Sequence, residues 1–175
     1  AGGGLVALAV VDACFLINWA RFRQRMDLFR LFERLAAPAP VFVEVRSEPA
    51  RLFVSSLLAT RRLLLTPRLA RVDQLALTLF ETINADPNLP VIDPPEAYAL
   101  AFAKYVGAPM LTDNAAPKLA TMFLEILRDV VVYDSLDVLV RLYRGPRLEA
   151  KVREFMRDTG IIFSERRLRE HGLAP

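Results

Sequence analysis

Three carboxylates stand directly behind apolar runs that read as strands. Asp12 follows the run 5–11, Asp113 follows Met110-Leu111-Thr112, and Asp134 follows the run 130–133. In an open parallel sheet, ligands bind beyond the carboxyl ends of the strands, so acids placed there converge if the strands are neighbours. Clustered carboxylates repel one another, and each is steadied by a nearby cation. A hard divalent ion such as Mg²⁺ takes oxygen ligands and keeps several waters. It can polarise a phosphodiester, activate water and hold the leaving oxygen. Each acid also has a plain structural role open to it. Asp12, Asp113 and Asp134 could cap the helices that follow them, and Glu96 could simply complement a helix dipole.

Other chemistries find little material. The chain has one cysteine, Cys14, and one histidine, His171. Neither a closed zinc site nor a Ser-His-Asp arrangement can be built from that supply. No phosphate loop of the G-x-x-x-x-G-K-[ST] type is present. Cys14 reads as a small buried hydrophobe and His171 as a solvated residue near the terminus. A phosphatase built on a strand-end Asp would want a second Asp two residues after Asp12, where Cys14 stands.

The elements that must position these acids follow from composition and periodicity. The 175 residues suit one domain, 54% hydrophobic and 25% charged, which excludes a disordered chain. Residues 5–175 are read as that domain, with 145–175 a C-terminal helical extension. Residues 1–4 (Ala-Gly-Gly-Gly) read as a scar or trimmed terminus. The first apolar run is broken by Asp12, far short of the ~20 residues that span a bilayer. No membrane segment is expected, and a single cysteine suits a reducing cytoplasm. The net charge is +3, carried by 20 Arg and 3 Lys, which is a weak pointer to nucleic acid.

Short apolar runs alternate with longer helical patterns, which predicts an α/β fold with a mostly parallel sheet. Strands are expected at 5–11, 63–65, 110–112 and 130–133, with 41–45 either a short strand or a helix start. Trp19, Phe22, Met26, Phe29 and Phe32 recur at steps of three and four, so 16–35 is expected to be helical. Further helices are expected over 51–62, 69–83, from Pro94-Pro95 to about 105, over 117–127, 136–143 and 148–158, and from Ser164. The aromatic stripe, with Tyr143, Phe155 and Ile161-Ile162-Phe163, is read as core or as a face for a second subunit or partner helix.

Four segments in order carry a resemblance. Val10-Val11-Asp12-Ala13-Cys14-Phe15-Leu16-Ile17 is similar to the opening of PIN-domain nucleases, a strand ending in Asp. Val41-Phe42-Val43-Glu44-Val45 resembles the second acidic position of that family. Pro95-Glu96-Ala97-Tyr98-Ala99-Leu100-Ala101 resembles the third, an acid opening an alanine-rich helix. Gly107-Ala108-Pro109-Met110-Leu111-Thr112-Asp113-Asn114 resembles the fourth. The C-terminal stretch 136–168 looks like the tail of an uncharacterised archaeal and bacterial PIN subgroup.

The resemblance implies a three-layer α/β/α domain with a Mg²⁺- or Mn²⁺-binding acidic pocket that hydrolyses RNA, leaving 5′-phosphate and 3′-hydroxyl ends. Many prokaryotic members are VapC-type toxins, usually dimeric and blocked by a cognate antitoxin. RNA, an antitoxin and a second copy of the chain are therefore the implied partners. Asp12, Glu44, Glu96 and Asp113 would be the catalytic acids, with Asp12, Glu96, Asp113 and Asp134 holding the metal. Asn114, Ser135 and Arg46 would contact substrate. The family's fourth acid falls either directly after the Thr, at Asp113, or two residues after it, where this chain has Asn114. That departure leaves a second reading open, a PIN-like binding module without turnover.

Overall fold

The computed structural model describes residues 4–173. Apart from Gly4, the supposed scar at 1–4 lies outside those residues, as do 174–175. The strands are β1 (Val6–Val11), β2 (Phe32–Pro38), β3 (Leu63–Thr66), β4 (Met110–Leu111) and β5 (Val132–Tyr133). They form one sheet in the order β3-β2-β1-β4-β5, every pairing parallel. From β1 the chain winds outward through β2 to β3, then crosses back to add β4 and β5 on the other side. The winding reverses between β1 and β4, which opens a crevice at their carboxyl ends.

The helices are α1 (Ala13–Arg21), α2 (Ala39–Phe42), α3 (Glu48–Ala59), α4 (Ala70–Ala85), α5 (Pro94–Val106), α6 (Ala115–Phe123), α7 (Ser135–Leu142), α8 (Gly145–Thr159) and α9 (Glu165–Glu170). α1 packs with α3 and α8, while α5 packs with α2 and α4 and lies against β1 and β2. Right-handed crossovers put the two groups on opposite faces of the sheet, giving the three-layer α/β/α arrangement expected from the sequence. Every residue from Glu96 to Ala103 is buried, so α5 is a core helix on all sides. Its alanines let the backbone approach the sheet closely. It starts on Pro94-Pro95 behind an Asp93 cap and stops at Gly107, whose φ of 68° a residue with a Cβ would resist.

Residues 16–35 are not one helix. α1 ends at Arg21, Phe22 is extended, a 3₁₀ turn covers Arg25–Arg30, and Phe32 begins β2. Phe32 and Leu35 satisfy a helical step of three, so periodicity alone could not separate the two states. Ala36 and Ala37, poor strand formers, are held in β2 by burial between β1 and β3. Residues 41–45 hold no strand: Ala39–Phe42 is a helical turn. Only Val132–Tyr133 of the run 130–133 forms a ladder, because Val130 N–H closes a turn on Leu127. The expected helix 117–127 is α6 followed by a 3₁₀ turn.

Trp19 and Phe22 face inward, not toward a second chain. Trp19 stacks on Phe15 with ring centroids 5.5 Å apart, and α8 covers the pair with Phe155, 5.4 Å from Trp19 and 5.1 Å from Phe22. Tyr143 and Phe155, the other partner-face candidates, are buried as well. Met26 and Ile162 remain exposed. No helix among the described residues is long and apolar enough to cross a membrane.

Candidate functional site

Asp12 leaves β1 at the crevice and caps α1, its Oδ1 accepting the Ala13 N–H at 2.8 Å. Its Oδ2 collects the Thr112 hydroxyl at 3.0 Å, the Cys14 thiol at 3.3 Å and the Asn114 amide at 3.4 Å. The side chain is 3% exposed. Burial raises its pKa, the thiol, the Ala13 N–H and Thr112 pull it down, and the charge of Asp93 adds to the rise. Burial and the neighbouring Asp12 also push the Cys14 thiol up, so sulfur stays protonated and acts as a donor. Cys14 is thus more than packing: it anchors the acid two residues away.

Glu96 enters from the first turn of α5. It is 4% exposed, and its Oε1 has no hydrogen-bond partner. Burial and the charge of Asp12 raise its pKa to about 7, against a pull from the Asn114 amide. Glu44, just after α2, is half-buried; burial, Asp93 and Asp12 raise its pKa, and Arg46 opposes them. Arg46 itself is exposed beside this group. Asp12, Glu44, Glu96 and Asp93 therefore share one electrostatic neighbourhood. Sequence reading missed Asp93, although an Asp before Pro-Pro is a helix-cap signature. Its Oδ1 accepts the Glu96 N–H at 2.8 Å.

Asp113 points elsewhere. Its Oδ2 accepts Asn18 Nδ2 and Ser135 Oγ, each at 2.7 Å, and its Oδ1 accepts the Ser135 N–H at 2.7 Å. Burial raises its pKa against those three donors. Asn114, and not Asp113, reaches Asp12, its amide directed at Oδ2. Asn18, also missed, lies one turn beyond Cys14 on the same face of α1, a spacing that the sequence does display.

Ser135, expected to touch substrate, is fully buried. Its hydroxyl accepts Trp19 Nε1–H at 2.9 Å and donates to Asp113, so it positions that acid. Asp134, expected among the metal ligands, spends its oxygens otherwise. Oδ1 caps α7 through the Asp137 N–H at 2.8 Å, and Oδ2 pairs with Lys118 at 3.3 Å and Arg167 at 2.8 Å. His171 is not in solvent; its Nε2 is buried 3.8 Å from Asp137 Oδ1.

Among the described residues, no three acid, histidine or cysteine side chains stand close enough to enclose one ion. A hydrated hard cation needs only one or two direct carboxylate oxygens, with waters filling the rest. The all-oxygen donor set and the unpartnered Glu96 Oε1 fit such an ion and do not fit zinc.

No family profile and no curated protein matches the chain. Among solved structures, it is similar to VapBC2 from Rickettsia felis bound to a DNA fragment from their promoter. The match has 12% identity and a TM-score of 0.51, covering 73% of this chain and 98% of that one. At that identity the likeness speaks to the fold alone: the chain has a PIN-like α/β/α fold, with its acids at the switch point of the sheet.

Proposed function

We propose that this chain is a Mg²⁺- or Mn²⁺-dependent endoribonuclease of the VapC kind. The observation that carries the reading is the buried pair Asp12 and Glu96 at the β1–β4 crevice, with Glu96 Oε1 unpartnered. Asp12 and Glu96 would hold the ion, with Glu44 and Asp93 adding negative charge around it. When bound, the ion polarises a phosphodiester and activates water. The chain's own residues prepare for this. Thr112, Cys14 and the Ala13 N–H fix Asp12 so that it need not reorganise. Glu96 holds a proton near neutrality until a cation replaces it. Asn114 offers a neutral amide where a fourth carboxylate would otherwise sit, and Arg46 supplies a cation for substrate phosphate.

A VapC-like role implies an inhibitory protein partner. An apolar groove of about 440 Å³ lies beside the start of α5, lined by Val43, Ala76, Leu77, Phe80 and Tyr98 among others. Co-expression with the product of an adjacent gene should then suppress cleavage.

The test is cleavage of end-labelled structured RNA with and without Mn²⁺, using wild type beside Asp12→Asn, with Mn²⁺ binding measured in parallel by calorimetry. Metal-dependent cutting and Mn²⁺ binding, both lost in Asp12→Asn, are expected. The neutral Asn114 favours one competing reading, a PIN-like module without turnover. RNA binding that is indifferent to Asp12→Asn, with no Mn²⁺ uptake by wild type, would establish that reading instead.

A further inference from the structure

The far end of the sheet carries a feature that the acids do not use. α3 ends at Ala59, and the chain reverses into β3 through Thr60, Arg61 and Arg62. Arg61 N–H bonds Leu58 O at 3.1 Å and Arg62 N–H bonds Leu57 O at 2.8 Å. This paired ending normally places glycine at the residue with positive φ. α5 obeys that rule with Gly107, and α8, which ends on the single bond from Gly160 N–H to Met156 O, also has glycine at its positive φ. α3 does not: Arg61 sits at φ 57°, the one residue with positive φ among the described residues that is not glycine. A charged side chain stands where a glycine would relieve strain.

Its neighbours are also basic. Arg34 projects from β2 and Arg62 precedes β3. With Glu33 and Thr60 these arginines line a shallow depression of about 300 Å³. All three arginines are exposed, and among the described residues none has a carboxylate within ion-pair distance, Glu33 included. Arg23, Arg68 and Arg153 elsewhere do face carboxylates. Arg62 is held in place by the Phe29 ring, 5.0 Å from its guanidinium carbon, and by the Glu33 carbonyl at 3.5 Å. The depression is therefore a partly ordered group of three planar cations against one carboxylate, Glu33, that pairs with none of them.

We infer that Arg34, Arg61 and Arg62 form a phosphate-binding corner that anchors RNA at the end of the sheet opposite the acids. The inference rests on the nuclease reading only for the identity of the polyanion. The stretch of β2 from Arg34 to Pro38 separates the two places by roughly 13 Å along the strand, a span that an extended single strand crosses in a few nucleotides. Substrate gripped at the corner and running past the β3 edge would reach the acidic crevice.

The experiment uses the full chain and a fluorescein-labelled single-stranded RNA, followed by anisotropy in EDTA over a salt series. Arg61→Gly should bind RNA several-fold more weakly yet melt at a higher temperature, a combination that a purely structural role would not give. Arg34→Gln/Arg61→Gly should lower the slope of log K against log salt by roughly 0.7 per cation removed. Unchanged affinity and slope in both variants would overturn the inference, whether or not wild type cuts RNA with Mn²⁺. A loss of RNA binding in the variants, with no metal-dependent cutting by wild type, would keep the corner and sink the nuclease. Displacement of RNA by low inorganic phosphate would reassign the corner to small anions and overturn the RNA anchor.

Discussion

Trp19 and Ser135 are joined by a hydrogen bond from the indole N–H to Oγ, 2.9 Å long and spanning 116 positions of sequence. With its acceptor lone pair occupied, the serine hydroxyl turns its hydrogen toward Asp113, 2.7 Å away. A core aromatic thereby sets the direction of the Asp113 carboxylate, which is turned away from Asp12 and Glu96 toward Asn18 and Ser135. Ser135→Ala should leave the indole N–H unpaired and Asp113 Oδ2 with Asn18 as its one remaining donor, at a cost of about 1–3 kcal/mol. If Asp113 supports the acids, RNA cleavage should fall by roughly 10-fold while Mn²⁺ affinity stays close to wild type. Calorimetric melting and cleavage rates at saturating Mn²⁺ check both; full activity in Ser135→Ala would remove Asp113 from the working site.

Glu96 should give the metal-free protein an unusual dependence on pH. Its pKa is raised in the fold, from 4.5 to about 7, first by burial and then by the charge of Asp12. A carboxyl raised in this way favours the fold while protonated. That contribution is complete below about 4.5 and is lost as the pH climbs through 7. Roughly 2 kcal/mol should disappear across that window, allowing for solvent screening. Urea melts in EDTA at a series of pH values should show the decline, and Glu96→Gln should flatten it. Mn²⁺ affinity should rise over the same window as the proton is displaced.

Asp137 should act at the opposite end of the scale. Burial pushes its pKa up, but the Lys118 ammonium, the Asp134 N–H and the Arg167 guanidinium outweigh that and hold it well below the ordinary carboxylate range. A lowered carboxyl contributes stability above its unfolded value and loses it as the pH falls through the folded one. The acid limb of the stability curve should therefore lie below about pH 4, and Arg167→Ala should move it upward. With the Glu96 effect, the metal-free fold should be most stable on the acid side of neutrality. A flat profile from pH 4 to 7 would contradict that pairing.

Phe155 ties α8 to the body of the domain through Trp19, Phe22 and Phe163. Phe155→Ala should cost about 3–5 kcal/mol, which for a chain of this size lowers Tm by on the order of 10 °C. Differential scanning calorimetry measures it directly. A loss under 1 kcal/mol would show that the C-terminal helices are an appendage and not part of the core.

Much of this was legible in the residues. Pro94-Pro95-Glu96 marked the start of α5 because proline and an acid both suit a first turn, and Met110-Leu111-Thr112 marked β4. β2 was hidden because Phe32 and Leu35 fit a helical step, Ala36 and Ala37 are poor strand formers, and Pro38 cannot donate to a ladder. Burial between two strands outweighs all three preferences. Asp12 and Glu96 were visible as acids at element boundaries. The division of labour between Asp113 and Asn114 was not, because it depends on Ser135 and Asn18, donors distant in sequence that only the folded sheet delivers.

The pairing of β1 with β4 sets a condition on synthesis. Val10 lies beside Met110, and Asp12 receives the hydroxyl of Thr112. The two walls of the crevice are thus made about a hundred residues apart, and closing so long a loop comes late in folding. A chain emerging from the ribosome carries Asp12 well before Thr112 and Asn114 arrive to orient it. Until β4 docks, the acids are separate side chains on an unfinished sheet.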